Sequence, residues 1–240
     1  QIFTWVNWMS KIKFNLSKIT LLAATLMAVS FIFVGFPQID ITVSALFYKP
    51  ERNFLLRDTS LHLFVDSWIR PSIKYLAMAF VVACVYKLFL GKSPIKRRFN
   101  IVAFLFSSFL LGPVLLVNGL LKEFIGRARP KNIIEYGGTK IFSPAYFPAD
   151  QCETNCSFVS GDAAVAFSTI AFALIFKGKL RFQLVAIALS FGVLVSIYRL
   201  GTGAHFLSDT VLSGLFCILI ILILERMLLR KADQTSRARN

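Results

Sequence analysis

Apolar positions along the chain gather into six long runs, at about 19–36, 74–91, 101–121, 161–176, 182–199 and 206–229. Runs of about 18 or more apolar residues predict membrane-spanning helices. The fourth and fifth runs are short for this and need either little tilt or extension by their flanks. The pattern predicts an all-α protein, a six-transmembrane-helix bundle forming one domain over residues 1–240. The first run is longer than the apolar part of a cleaved signal peptide, so a retained span is expected although Ala28-Val29-Ser30 is small enough for cleavage.

Polar positions between the runs set the orientation. Basic residues at 11, 13 and 18 precede the first run, and those at 87, 92 and 96–98 separate the second from the third. Others at 177, 179 and 181 separate the fourth from the fifth, and those at 226, 230, 231, 237 and 239 follow the sixth. These alternate connections hold 16 of the 27 Lys and Arg but only two of the 12 acids, Glu225 and Asp233. Cations accumulate on the cytoplasmic side, so both termini are expected there. The formal net charge of +15 therefore reads as topology and not as a nucleic-acid surface.

The two outer loops, 37–73 and 122–160, are long, and the stretch SLHLFVDSWI in the first is expected to form an interfacial helix. The tail 231–240 reads as disordered. Cys84 and Cys217 lie inside apolar runs and read as packing residues. Cys152 and Cys156, with three residues between them in the second outer loop, form a plausible disulfide on an oxidising side.

Three polar clusters remain that the spans do not explain. Lys122, Arg129 and Pro130 stand where the third run ends. Ser160, Gly161 and Asp162 open the fourth, and Arg199, His205 and Asp209 bracket the turn between the fifth and sixth. All three fall on the outer side, where ionisable groups at membrane depth mark function. Their chemistry suits phosphoryl transfer. Lys122 and Arg129, seven apart, share a side if their helix continues that far. With Arg199 they offer two planar forks and one point charge to phosphate oxygens. Ser160 and the following amides stand at a helix start, which attracts anions. His205 and Asp209 are neighbours at i and i+4, and a carboxylate beside an imidazole fixes its tautomer and frees the other nitrogen to attack. The plainer readings are headgroup cations for Arg127 and Lys131, an interfacial residue for His62, and a favourable helix-start charge for Asp162.

The series K-x6-R-P, S-G-x and R-x5-H-x3-D resembles the motif set of the type 2 phosphatidic acid phosphatase superfamily over roughly residues 75–225. The resemblance implies an integral membrane lipid phosphatase with no metal or other cofactor. It makes His205 the nucleophile that forms a phosphohistidine and Asp209 its orienting partner. Lys122, Arg129, Ser160, Gly161 and Arg199 become the phosphate cradle. It implies a bacterial inner membrane, a site at the outer (periplasmic) face, and a phospholipid or lipid A-type substrate; it gives no oligomeric state.

One position departs from the family. Its second motif ends in a His that protonates the leaving group, where this chain has Asp162. Surrounding cations hold a carboxyl ionised, so Asp162 is a poor acid until substrate binds. A leaving group that departs easily needs less protonation, which favours lipid A 1-phosphate or a polyprenyl diphosphate over phosphatidic acid, with phosphatidylglycerophosphate another candidate. A lipid phosphotransferase, or a silent lipid-binding relative that lost its acid, are the alternatives.

Overall fold

A computed structural model describes residues 2–90 and 95–230, and each of the six apolar runs is helical there. Lys92, Lys231, Arg237, Arg239 and the expected disordered tail lie outside the described residues. The first run lies in α1 (Ile2–Gly35) and the fifth in α9 (Gly178–Gly201). The sixth forms α10 (Leu207–Leu224) with a π-helical extension, Glu225–Arg230. The third begins in α5 (Ile95–Phe109), continues as a π-helical stretch Leu110–Leu121 and closes in α6 (Lys122–Ile125). The wider winding falls at Pro113, which has no N–H for the α ladder; the Asn118 side chain donates to the Pro113 carbonyl at 2.7 Å.

Four stretches are long and apolar enough to cross a membrane: Lys18–Gly35, Arg98–Asn132, Gly178–Gly201 and Leu207–Leu229. The fourth run does not reach that length. It forms α7 (Gly161–Ser168) and α8 (Ile170–Leu174), broken at Thr169, whose hydroxyl turns back to the Ala166 carbonyl at 2.6 Å. Fourteen residues at about 1.5 Å each fall short of a hydrocarbon layer of about 30 Å. The fifth run is extended by its flanks, as its length required. The second run lies in α4 (Arg70–Leu90). The expected interfacial stretch is not a separate element: α3 (Ser60–Phe64) and a π turn, Val65–Ile69, lead straight into α4. That π turn precedes Pro71, again where an α-helical donor is missing.

Small residues let the helices close up. The Phe167 ring of α7 wedges against Gly192 of α9 and Gly214 of α10, where an added Cβ would lie 2.3 Å and 2.8 Å from it. Val117, Phe158, Val159, Ala164, Leu212 and Cys217 form one apolar core against Phe33 of α1. Phe31, Tyr75, Phe89, Phe182 and Leu194 face outward, as lipid-facing side chains do.

At one end, segments from 37–73 and 122–160 cover the α9–α10 turn. After α2 (Gln38–Ala45), β1 (Tyr48–Lys49) pairs antiparallel with β2 (Asn53–Phe54), the one hairpin among the described residues. Phe54 lies under Gly203, whose φ of +63° and 2.3 Å Cβ-to-ring distance require glycine. The Leu56 amide donates to the Gly201 carbonyl at 2.9 Å.

Candidate active site

The chain runs from α6 into Gly126, whose φ of +61° ends the helix. Helical register therefore does not bring Lys122 and Arg129 together, contrary to the i, i+7 expectation. A third residue does. Lys122 Nζ donates to Asn155 Oδ1 at 2.9 Å and Arg129 donates to the Asn155 carbonyl at 2.7 Å. Asn155 has a left-handed backbone and sits in the short loop closed by the Cys152–Cys156 disulfide. Asn155 was not legible as a site residue, because nothing in its spacing links it to the cations.

Ser160 caps α7, its hydroxyl accepting from Ala163, and its amide donates to the Asp209 carbonyl at 3.0 Å. The start of α7, with Ser160 and Gly161, is thereby pinned beside α10. Asp162 Oδ2 lies 3.1 Å from Arg199 Nε and 4.0 Å from Arg70 Nε. The carboxylate at the position that departs from the motif is thus paired with Arg199.

His205 is buried in the turn before α10. Its Nδ1 lies 2.8 Å from the Ser157 carbonyl oxygen. A carbonyl only accepts, so Nδ1 carries the proton and Nε2 keeps a free lone pair. Asp209 is not the hydrogen-bond partner expected: its Oδ2 stands 3.7 Å from Nδ1. Its oxygens are taken by the Phe206 amide at 2.9 Å, the Ser157 hydroxyl at 2.5 Å and Arg127 at 2.7 Å. Asp209 thus acts on the imidazole through its charge and by holding both Ser157 and the turn.

Burial, followed by the Arg199 and Arg129 charges, pushes His205 down to about 4, and Asp209 opposes the shift. The imidazole is therefore neutral, and nucleophilic, well below the ordinary value of 6.5. In a His62→Asn background, which leaves a single imidazole, the His205 ring nitrogen resonances are expected to stay those of the neutral Nδ1–H tautomer from pH 8 down to about pH 5. A midpoint near 6.5 would contradict this geometry.

Arg127, which read as a headgroup cation, is fully buried. It donates to Asp209 Oδ1 at 2.7 Å, Asp40 Oδ2 at 2.8 Å, Ser208 Oγ at 2.9 Å and the Ser143 carbonyl at 2.7 Å. Asp40, also buried, accepts from the Ser208 amide at 2.8 Å. Its carboxyl is pushed up by burial and held back by Arg127. His62 lies outside this group, bonded to the Tyr198 hydroxyl at 2.8 Å.

A family model described as the PAP2 superfamily matches residues 100–233. A lipid A 4'-phosphatase of Francisella tularensis subsp. novicida (strain U112) is 29% identical over 205 residues, 84% of this chain and 91% of that protein. Lipid A 4'-phosphatases of Rhizobium leguminosarum and of Rhizobium etli are each 42% identical over 111 residues, 46% of this chain. Those stretches cover 48% and 43% of the two relatives. No solved structure matches the chain. The family match covers more than half the chain and contains all three motif clusters: the protein belongs to the PAP2 superfamily.

Proposed function

We propose that the protein removes a phosphate from lipid A at the outer face of a bacterial inner membrane, through a phosphohistidine at His205. The protein is a multi-pass membrane enzyme, a phosphoric monoester hydrolase of the PAP2 superfamily. The observation that carries the chemical reading is the His205 imidazole. Its Nδ1–H is committed to Ser157, and the Arg129 and Arg199 charges act on the same ring. Domain extent and topology are read from the sequence pattern: one domain over residues 1–240, with six spans, of which the fourth is short, and both termini cytoplasmic.

His205 Nε2 attacks phosphorus and the bond to the lipid oxygen breaks. Lys122, Arg129, Arg199, Ser160 and the Gly161 amide hold the equatorial oxygens. Asp209 balances the positive charge gained by the ring. The leaving oxygen takes a proton and departs as the lipid alcohol. Water then attacks phosphorus, the N–P bond breaks, and inorganic phosphate leaves with His205 neutral again.

Asp162 supplies the proton. A substrate phosphate competes for Arg199 and breaks the 3.1 Å ion pair. The freed carboxylate then faces a dianion instead of a cation, which favours its protonated form. Asp162→Asn is expected to slow hydrolysis of an alkyl phosphate by about 10²-fold and to slow an activated aryl phosphate far less. Equal losses for both leaving groups would show that Asp162 is not the acid.

The names of the relatives favour the 4'-phosphate, whose sugar alkoxide is a poor leaving group and needs that acid. The leaving-group argument favours the 1-phosphate instead. Mass spectrometry of the product distinguishes the two positions. Polyprenyl diphosphate and phosphatidylglycerophosphate complete the substrate panel. Phosphate recovered on an added acceptor lipid would mark a transferase, and binding without turnover a silent relative.

A further inference from the structure

Two of the cations that lie outside both the cradle and the buried network flank the α9–α10 turn: Arg57 and Lys131. Neither sits on a free loop. The Leu56 amide donates to the Gly201 carbonyl at 2.9 Å, and the Lys131 amide donates to the Gly203 carbonyl at 3.0 Å. The Arg57 amide is itself tied to the Phe54 carbonyl at 2.9 Å. Both residues are thus fastened by neighbouring backbone to the same three-residue turn, which carries Arg199 on one side and His205 on the other. Both side chains are half-buried. Arg57 is the leading charge acting on Lys131, ahead of Arg129 and Arg199. Asp66 is the acid that reaches Lys131, and its carboxylate is already bonded to Arg70 at 3.2 Å. Among the described residues no hydrogen bond or ion pair joins the Arg57 or Lys131 side chain to a carboxylate.

Cations fixed close together at low hydration repel one another, and a bound anion relieves the repulsion. A single phosphate on His205 uses Lys122, Arg129 and Arg199 and leaves this pair unanswered. We propose that Arg57 and Lys131 form a second anion subsite, which takes a second phosphate group on the same lipid headgroup while the first lies on His205. This rests on the lipid phosphatase reading above. It makes a bisphosphorylated headgroup the preferred substrate, and it makes the singly phosphorylated product a weaker ligand that leaves.

The test compares lipid A bearing both phosphates with lipid A bearing only the cleaved one, using intact wild-type protein and the Arg57→Gln/Lys131→Gln double variant in detergent. The wild type is expected to show a KM about tenfold lower for the bisphosphorylated lipid, since a hydrogen bond to a charged group is worth roughly that much. In the double variant that advantage disappears with kcat retained, and KM for the monophosphorylated lipid stays where it was. An equal rise in KM for both lipids, or no change for either, overturns the subsite. Should the wild type hydrolyse neither lipid, the phosphatase reading falls. The same comparison, made as equilibrium binding to His205→Ala protein with and without the double substitution, then decides the subsite separately.

Discussion

Replacing Arg127 by Ala is expected to destabilise the folded protein by about 3–5 kcal/mol, because it leaves two buried carboxylates without their shared cation. Arg127 is the only cation in contact with both Asp40 and Asp209 among the described residues. Its Nε and both terminal nitrogens are spent on four partners: Asp40 of α2, Ser143 of the segment after α6, and Ser208 and Asp209 of α10. Arg127→Lys is expected to fail nearly as badly, since one ammonium cannot fork between two carboxylates. A drop in the thermal midpoint of the detergent-solubilised protein measures the loss. Adding Asp40→Asn to Arg127→Ala removes one of the orphaned charges and is expected to recover part of it. An Arg127→Ala protein that melts with the wild type would mean that the two carboxylates are neutral or hydrated, and that the network holds nothing together.

His205→Ala is expected to lower phosphate release by about 10³-fold or more, since it removes the attacking atom while leaving the cradle intact. The substituted protein is expected to fold, because the Asp209 oxygens are bonded to Phe206, Ser157 and Arg127 and not to the imidazole. It is also expected to keep its affinity for the lipid, through Lys122, Arg129 and Arg199. A wild-type reaction quenched in alkali, which preserves the N–P bond, should carry labelled phosphate on a histidine, and the variant should carry none. Loss of binding together with turnover would give His205 a part in holding the substrate and weaken its assignment as nucleophile.

The helices were readable because lipid imposes a simple demand: a buried backbone must bond to itself over a long apolar stretch. The six runs are visible for that reason. What length alone could not show was the break at Thr169 or the π turns ahead of Pro71 and at Pro113. These depend on one hydroxyl and on two missing donors.

The motif residues were readable as types but not as contacts. Lys122 and Arg129 do converge, yet by way of Asn155 and not along a helix, because Gly126 stops α6 three residues before Arg129. Asp209 does neighbour His205, yet the Ser157 carbonyl holds the ring. Arg127 carried a faint signal. Past the left-handed Gly126, successive residues of an extended segment face opposite ways, which places Arg127 beside Arg129 on one face and so near the motif. Asp40 carried another, as the lone acid in QIDITVSA directly after an apolar run. Neither signal names the partner, because the contact spans 87 residues.

The most direct measurement is the product formed from lipid A by detergent-purified protein, read by mass spectrometry beside the His205→Ala control. The account predicts that the wild type removes one phosphate, and that the control leaves the lipid intact while still binding it. Phosphate release that persists in His205→Ala, or an untouched lipid with the wild type, would contradict it.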